Sequence, residues 1–260
     1  MAFLTISQIQ SIKEHMTCDE SVLTKKFKAK KTPYFTLSIS LNELDDYINE
    51  GWEEVSRTKY KAKIQKLKPA GVRFEDDIWC MFYNLGFRHL NYDEKLEVPW
   101  GENPGDKHQL DVVAIGEEAI FDVECKATEN IKPASFKKDI DDMRLYRDGV
   151  MKALRQIYGE DKKVKFIFAT RNYTFAEGCE DEKRLAENKI FQFTDNTYDY
   201  VNSLIKAYKS TVIYQFYGLM FRHERINNDK IRIPALKGTM GGHTYYMLSI
   251  EPATLLKIGF

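Results

Sequence analysis

Two periods of apolar residues run along this chain, and the switches between them mark its elements. Within LNELDDYINEGWEEV, Leu41, Leu44, Ile48 and Trp52 fall near one helical face. This predicts a helix capped by Ser40 or Asn42 and broken near Gly51. Residues 57–68 (RTKYKAKIQKLK) alternate instead. Arg57, Lys59, Lys61 and Lys63 would share one face of a strand, with Tyr60, Ala62 and Ile64 on the other. Pro69-Ala70-Gly71 reads as a break and a domain boundary. FEDDIWCMFYNLGF (74–87) reads as a helix closed by Gly86. QLDVVAI and AIFDVECKAT, on either side of Gly116-Glu117-Glu118, read as a hairpin of two largely apolar strands. Residues 135–158 are predicted helical, with Ile140, Met143, Tyr146, Val150, Leu154 and Ile157 facing inward. KVKFIFAT (163–170) is a further strand, followed by a helix around 181–187, a short strand at KIFQF and helical segments through 195–221. The order β-β-α-β-α-β behind a leading helix predicts an α/β sandwich with a mixed central sheet. A smaller α+β region precedes it, reading as helix, basic segment, helix and basic strand. The expected divisions are therefore 1–68, 69–193 and 194–260. The last reads as a helical and short-strand extension, the truncated start of a further module, because the chain ends at Phe260 within an apolar segment.

Composition narrows the class. The 260 residues are 43% apolar and 30% charged, which excludes a disordered chain. Cys18, Cys80, Cys125 and Cys179 form no CxxC, and Cys80 and Cys125 sit in apolar runs, as buried thiols in a reducing compartment do. MAFLTISQIQ lacks the charged start and apolar core of a signal peptide, and no stretch approaches a membrane span. A soluble, cytoplasmic protein with no membrane partner is expected.

The 39 basic and 39 acidic residues cancel, which excludes a uniformly basic nucleic-acid coat but not a local patch. Two acid-free runs, 25–31 and 57–68, together carry +11. The 57–68 run has two readings: an edge strand guarded by lysines, or a ribbon (Lys59, Lys61, Lys63) that tracks a phosphate backbone.

Candidate chemistry concentrates in QLDVVAIGEEAIFDVECK (109–126). Glu124 and Lys126 lie two apart on one strand and share its face. If Glu117-Glu118 form a two-residue loop, paired positions sum to 235. Asp111 then faces Glu124, and Gln109 faces Lys126. A three-residue loop sends Asp111 to the other face. In the first register two carboxylates and an ammonium meet on an apolar strand, where unpaired charge is costly. Carboxylate oxygens suit a hard cation such as Mg²⁺, with Mn²⁺ a plausible substitute. Such an ion activates water at a phosphodiester, and a lysine beside it offsets developing charge. The competing reading is a structural Glu124–Lys126 ion pair. Glu75, one turn ahead of Ile78 and Trp79, is either a further carboxylate aimed at the metal or a first-turn acid on the helix dipole. In the latter role Asp76 or Asp77 would serve from the outer face.

Glu75 in a leading helix, Asp111, then Glu124-Cys125-Lys126 resembles the PD-(D/E)xK restriction-endonuclease-like superfamily, with Leu110-Asp111 in the place of its PD. The resemblance covers roughly residues 70–175. It implies a restriction-endonuclease-like fold and a Mg²⁺-dependent DNA endonuclease, with Glu75, Asp111 and Glu124 as metal ligands and Lys126 as the catalytic lysine. GWEEV, FEDDIWCMFYNLGF, QLDVVAI, DVECKAT and the C-terminal MGGHTYYMLSIEPATLLKIGF resemble nuclease-like N-terminal regions of bacterial DGQHR-domain, DndB-related proteins. Those accompany DNA-modification or defence systems.

Other groups are secondary. Gln109 would contact the attacking water or DNA if it faces Lys126. His108 borders the cleft, as a catalytic group or an ordinary loop polar residue. Arg144 and Arg147, with Lys152 and Arg155, make either a solvated helix face or phosphate contacts. The partner expected is double-stranded DNA, and cutting both strands with one site per chain favours a homodimer. The alternative function is a nucleic-acid- or partner-binding module on the same fold that cleaves little.

Overall fold

The computed structural model describes residues 3–221 in full and the backbone of 238–240 and 243–245. In chain order the elements are α1 (Ile6–Glu14), β1 (Met16–Thr17), α2 (Glu20–Lys30), β2 (Tyr34–Ser40), α3 (Leu44–Asn49), β3 (Glu53–Arg57) and β4 (Lys61–Leu67). There follow α4 (Ala70–Leu85), β5 (Leu90–Asn91), β6 (Glu97–Pro99), β7 (Lys107–Gln109), β8 (Val112–Ile115), β9 (Ala119–Ala134) and α5 (Lys137–Tyr158). Next come β10 (Lys163–Phe175), α6 (Asp181–Glu187), β11 (Phe191–Phe193), α7 (Asp195–Tyr208) and α8 (Ile213–Met220). The last are β12 (Gly238–Met240) and β13 (His243–Tyr245). The C-terminal sequence compared above with DGQHR-domain proteins lies almost wholly outside the described residues. So does the chain's end at Phe260.

The chain divides into two compact units, residues 1–83 with 87–195, and 84–86 with 196–260. The first is built on a six-stranded sheet in the order β1-β5-β8-β9-β10-β11. Its β5–β8 and β8–β9 pairs are antiparallel, and its β9–β10 and β10–β11 pairs are parallel, so the sheet is mixed and the protein α/β. The parallel β9–β10 pair needs a crossover, and α5 supplies it. Ile140, Met143, Tyr146, Val150 and Leu154 of α5 are buried as the periodicity predicts. They pack with Val113, Ile120, Phe166 and Phe168 on one sheet face. Against the other face, Phe82 of α4 meets Phe121 at a centroid distance of 5.6 Å. In the second unit, α7 and α8 bury Val201, Ile205, Phe216 and Met220.

The N-terminal region departs from its predicted outline. The 25–31 run is not a loose segment: most of it is the end of α2, whose N-cap Asp19 accepts from the Ser21 and Val22 amides. The acidic helix is shorter than expected. A 3₁₀ turn (Leu41–Glu43) leads into α3, and Gly51 at φ +85° reverses the chain into β3. The 57–68 run is not one strand. Residues 58–60 form a turn between β3 and β4, so Arg57 and Lys59 do not share a strand with Lys61 and Lys63. The sheet order is β2-β4-β3, which makes β4 the central strand and removes the edge-guard reading of its lysines. Ala62 and Ile64 are fully buried with Ile39 and Leu44. At Pro69-Ala70-Gly71 the chain passes from β4 straight into α4, and the Arg73 amide donates to the Pro69 carbonyl.

Candidate active site

The hairpin adopts the two-residue loop. Val112 pairs with Val123, Val113 with Asp122, Ala114 with Phe121 and Ile115 with Ile120. The Gly116 amide donates to the Ala119 carbonyl at 2.8 Å, closing the turn. Every pair obeys the same register, and its extension sets Asp111 opposite Glu124. Asp111 stands just before β8, where its Oδ2 accepts from the Cys125 amide at 2.8 Å. Asn91 fixes this position from β5: its Nδ2 donates to the Asp111 carbonyl at 3.0 Å, and its Oδ1 accepts from the Val113 amide at 3.0 Å. Trp79 of α4 in turn donates to the Asn91 carbonyl at 2.6 Å.

Glu124 is gripped at both oxygens. Lys126 Nζ lies 3.0 Å from Oε1, and His108 Nε2 lies 3.4 Å from Oε2. Lys126 also reaches Asp139 Oδ1 on α5 at 3.0 Å. The His108 ring stacks on Tyr146, also on α5, with centroids 3.8 Å apart and planes inclined 18°. Burial pushes Glu124 up, but the hydrogen bond from His108 and the charge of Lys126 outweigh it, and the carboxyl sits below its ordinary value. Burial likewise pulls Lys126 down, and the charges of Glu124 and Asp139 more than reverse this, so the amine is held as ammonium.

The other two carboxyls behave oppositely. Asp111 is raised by burial and then by the charges of Glu124 and Glu75, which its hydrogen bond from Cys125 does not offset. Glu75, part-buried in α4, is pushed up to about 7 by burial and by Glu94, Asp76 and Glu124. Mutual repulsion of this kind is what a divalent cation relieves. Among the described residues, however, no three His, Cys, Asp or Glu side chains gather closely enough to hold a metal ion by themselves. A hydrated hard cation, which takes one or two carboxylates and keeps waters, asks for fewer protein donors than a caged ion.

The remaining predicted residues separate. Gln109 does not face Lys126: β7 leaves the main sheet and pairs with β6, setting Gln109 opposite Glu97 and exposed to solvent. That long-range pairing, invisible in the hairpin register, brings the preceding residue His108 to Glu124 instead. Arg147 is tied to Asp148 and to the Asn188 carbonyl, while Arg144 is exposed. Lys59 lies over the Tyr60 ring, and Lys61 and Lys63 project into solvent from β4. Asp76 is not on an outer face. It is buried with Lys68 Nζ at 2.8 Å and Lys30 as its second partner.

Sequence reasoning missed Asp122, Asp139, Tyr146 and Asn91 as neighbours of the site. Asp122 had a signal: Asp122, Glu124 and Lys126 alternate and so share a strand face. It is 2% exposed, its Oδ2 has no hydrogen-bond partner among the described residues, and burial raises it far above its ordinary value.

No protein-family model matches the chain, and no curated protein matches it. Similar solved structures include two of low identity. One is Can2 from Sulfobacillus thermosulfidooxidans in complex with cyclic tetra-adenylate, at 16% identity and a TM-score of 0.32, covering 76% of this chain and 53% of that one. The other is protein VC1899 from Vibrio cholerae, at 11% identity and a TM-score of 0.33, covering 83% of this chain and 57% of that one. The chain thus spans little more than half the length of either. Among the described residues no helix is long and apolar enough to cross a membrane.

Proposed function

We propose that this chain is a divalent-metal-dependent deoxyribonuclease module that hydrolyses phosphodiesters of duplex DNA in a prokaryotic modification or defence setting. The observation that carries the reading is the register that sets Asp111 opposite Glu124, with Lys126 on the same face and its ammonium held from two sides. Asp111 and Glu124, with Glu75, would hold Mg²⁺ or Mn²⁺. When bound, that ion supplies Lewis acidity at the scissile phosphate. Lys126, kept protonated, orients the attacking water and offsets the negative charge that develops on the phosphate. Asp111 must shed its proton before it can ligate, and a nearby cation favours that loss. Residues 69–193 would form the nuclease core and 1–68 the DNA-holding region, and a homodimer would place two such centres on the two strands.

The test is cleavage of plasmid DNA by the full chain with Mg²⁺ or Mn²⁺. Asp111→Ala and Lys126→Ala should each abolish cleavage with the thermal midpoint retained. Undiminished cleavage by both variants would remove the assignment.

One observation favours a second reading, a nucleic-acid-binding module that cleaves little. Both oxygens of Glu124 are already engaged by Lys126 and His108, so a cation must compete for them. In that case the wild-type chain binds DNA without metal and leaves it intact when metal is added.

A further inference from the structure

We infer that the solvent face of the β2-β4-β3 sheet is a sequence-independent grip for the phosphate backbones of duplex DNA. The inference deepens the nuclease reading by naming the surface that holds the substrate, and takes only the identity of the polyanion from it.

The register builds the face. Lys61 pairs with Ser40, Lys63 lies between Ser38 and Ser56, and Gln65 lies between Thr36 and Glu53. Alternation along β4 buries Ala62 and Ile64 beneath Ile39 and Leu44, and turns Lys61 and Lys63 outward. Thr36, Ser38, Ser40 and Ser56 are exposed beside them. The result is two ammoniums in a field of hydroxyls, the donor types that contact phosphate oxygens.

The charge is available. Neither Lys61 nor Lys63 has an acidic partner among the described residues, whereas Lys30, Lys68, Lys107 and Lys126 are all in ion pairs. The acid nearest the hairpin tip, Glu54, is held by both Arg57 Nε and Nη2, at 2.8 and 2.7 Å. Two residues along a strand span about 6.8 Å, and duplex DNA carries a charge about every 1.7 Å of its axis, so each ammonium can take its own phosphate.

The face also limits the ligand. Its one strand aromatic, Tyr34, is part-buried at the end away from Lys61 and gives no row of rings on which successive unpaired bases would stack, which argues against a single-strand platform. Leu67, half-exposed at that same end, is too small an apolar surface to anchor the face in a bilayer. Two further exposed apolar residues, Phe35 and Leu37, align with Lys66 and Ile64 on the opposite face.

The grip is tied to the candidate active site. β4 runs through Lys68 and Pro69 directly into α4, which carries Glu75. Lys68 Nζ donates to the Ala29 and Thr32 carbonyls at 3.1 and 2.8 Å and pairs with Asp76, the neighbour of Glu75. A duplex held on β4 is therefore held by the same lock that sets α4.

The experiment is fluorescence anisotropy with the full chain, labelled 20-base-pair duplexes of two unrelated sequences, and EDTA. The double variant Lys61→Gln/Lys63→Gln should bind roughly tenfold or more weakly at 0.1 M salt. Its slope of log affinity against log salt should shrink by about two, one per lost phosphate contact. Lys66→Gln, which removes one positive charge from the opposite face, should change neither. Both duplexes should bind alike. An unchanged affinity and slope in the double variant, tighter binding of a single strand, or binding of phosphatidylserine vesicles without any duplex binding would each overturn the inference. Binding is read without metal, so its failure is separate from that of the nuclease reading. A chain that grips duplexes but never cuts them sinks only the latter.

Discussion

Asp139 Oδ1 stands 3.0 Å from Lys126 Nζ, as close as Glu124 Oε1, so the ammonium is held by both a strand and the first turn of α5. One carboxylate would leave a flexible four-carbon chain free to swing; two from different elements set both its position and its charge. Asp139 touches no reacting atom in this reading and is a positioning residue. Asp139→Asn should therefore lower kcat for metal-dependent cleavage roughly 10- to 100-fold and leave KM for DNA nearly unchanged. Asp139→Glu should recover part of the loss. A rise in KM at constant kcat would assign Asp139 to DNA binding instead.

The raised carboxyls predict an unusual dependence of stability on pH. Glu75 is ordinarily near 4.5 and sits at about 7 in the fold, and Asp111 moves in the same direction. Between these limits the unfolded chain releases protons that the folded chain retains, so stability falls as pH rises from about 4.5 to about 7. Glu124 has the opposite sign, but its contribution is lost only as pH falls below its ordinary range. In EDTA the thermal midpoint should decline across that window, and Glu75→Gln should flatten the decline. Mg²⁺ should raise the midpoint most above pH 7, where the carboxylates are ionised. Calorimetry across pH, with and without Mg²⁺, measures all three.

The parts of this arrangement that local pattern encodes were legible. The turn at Glu117-Glu118 determines a register, and the register determines which carboxylates meet; the stripe from Ile140 to Leu154 determines the buried face of α5. The parts that depend on distant pairing were not. Gln109 and His108 exchange roles because β7 joins β6, ten and more residues away, and nothing in QLDVVAI announces that pairing. β2 escaped notice because YFTLSIS alternates with serine and threonine and buries only Ile39 well. The two basic runs looked uniform, yet Lys30 and Lys68 are in the interior and Lys61 and Lys63 in solvent, a difference set by Asp76 on a helix that neither run contains.

Gly149 offers a test of how the ribbon that carries His108 is seated. In an exposed helix Gly→Ala stabilises by about 1 kcal/mol. Here a Cβ at Gly149 would strike the backbone carbonyl of Trp100, which cannot move aside as a flexible side chain would. Trp100 is joined to the start of β7 through its amide, which donates to the Asp106 carbonyl at 2.8 Å. Gly149→Ala should thus destabilise by about 1–3 kcal/mol. Its cleavage should also fall, as the displaced ribbon carries His108 from Glu124. Urea denaturation and plasmid cleavage read the two effects, and a more stable variant would show that the ribbon does not rest on α5.

The buried Lys30–Asp76–Lys68 group makes the sharpest distinction between residues that look alike in the sequence. Asp76 is the one acid that both lysines share among the described residues, and Lys68 additionally closes the C-terminal end of α2 through the Ala29 and Thr32 carbonyls. Removing one partner of a buried ion pair leaves uncompensated charge and costs about 3–5 kcal/mol. Asp76→Ala, which strands two ammoniums at once, should reach or exceed the upper end. Lys68→Ala leaves Asp76 with Lys30 and should lose less from charge, while also uncapping α2. Lys61→Gln and Lys63→Gln, on the exposed face of the neighbouring strand, should each stay within about 0.5 kcal/mol of the parent. Chemical denaturation of the four variants orders them directly. Equal stabilities for Asp76→Ala and Lys61→Gln would mean that the group does not lock the sheet to α4.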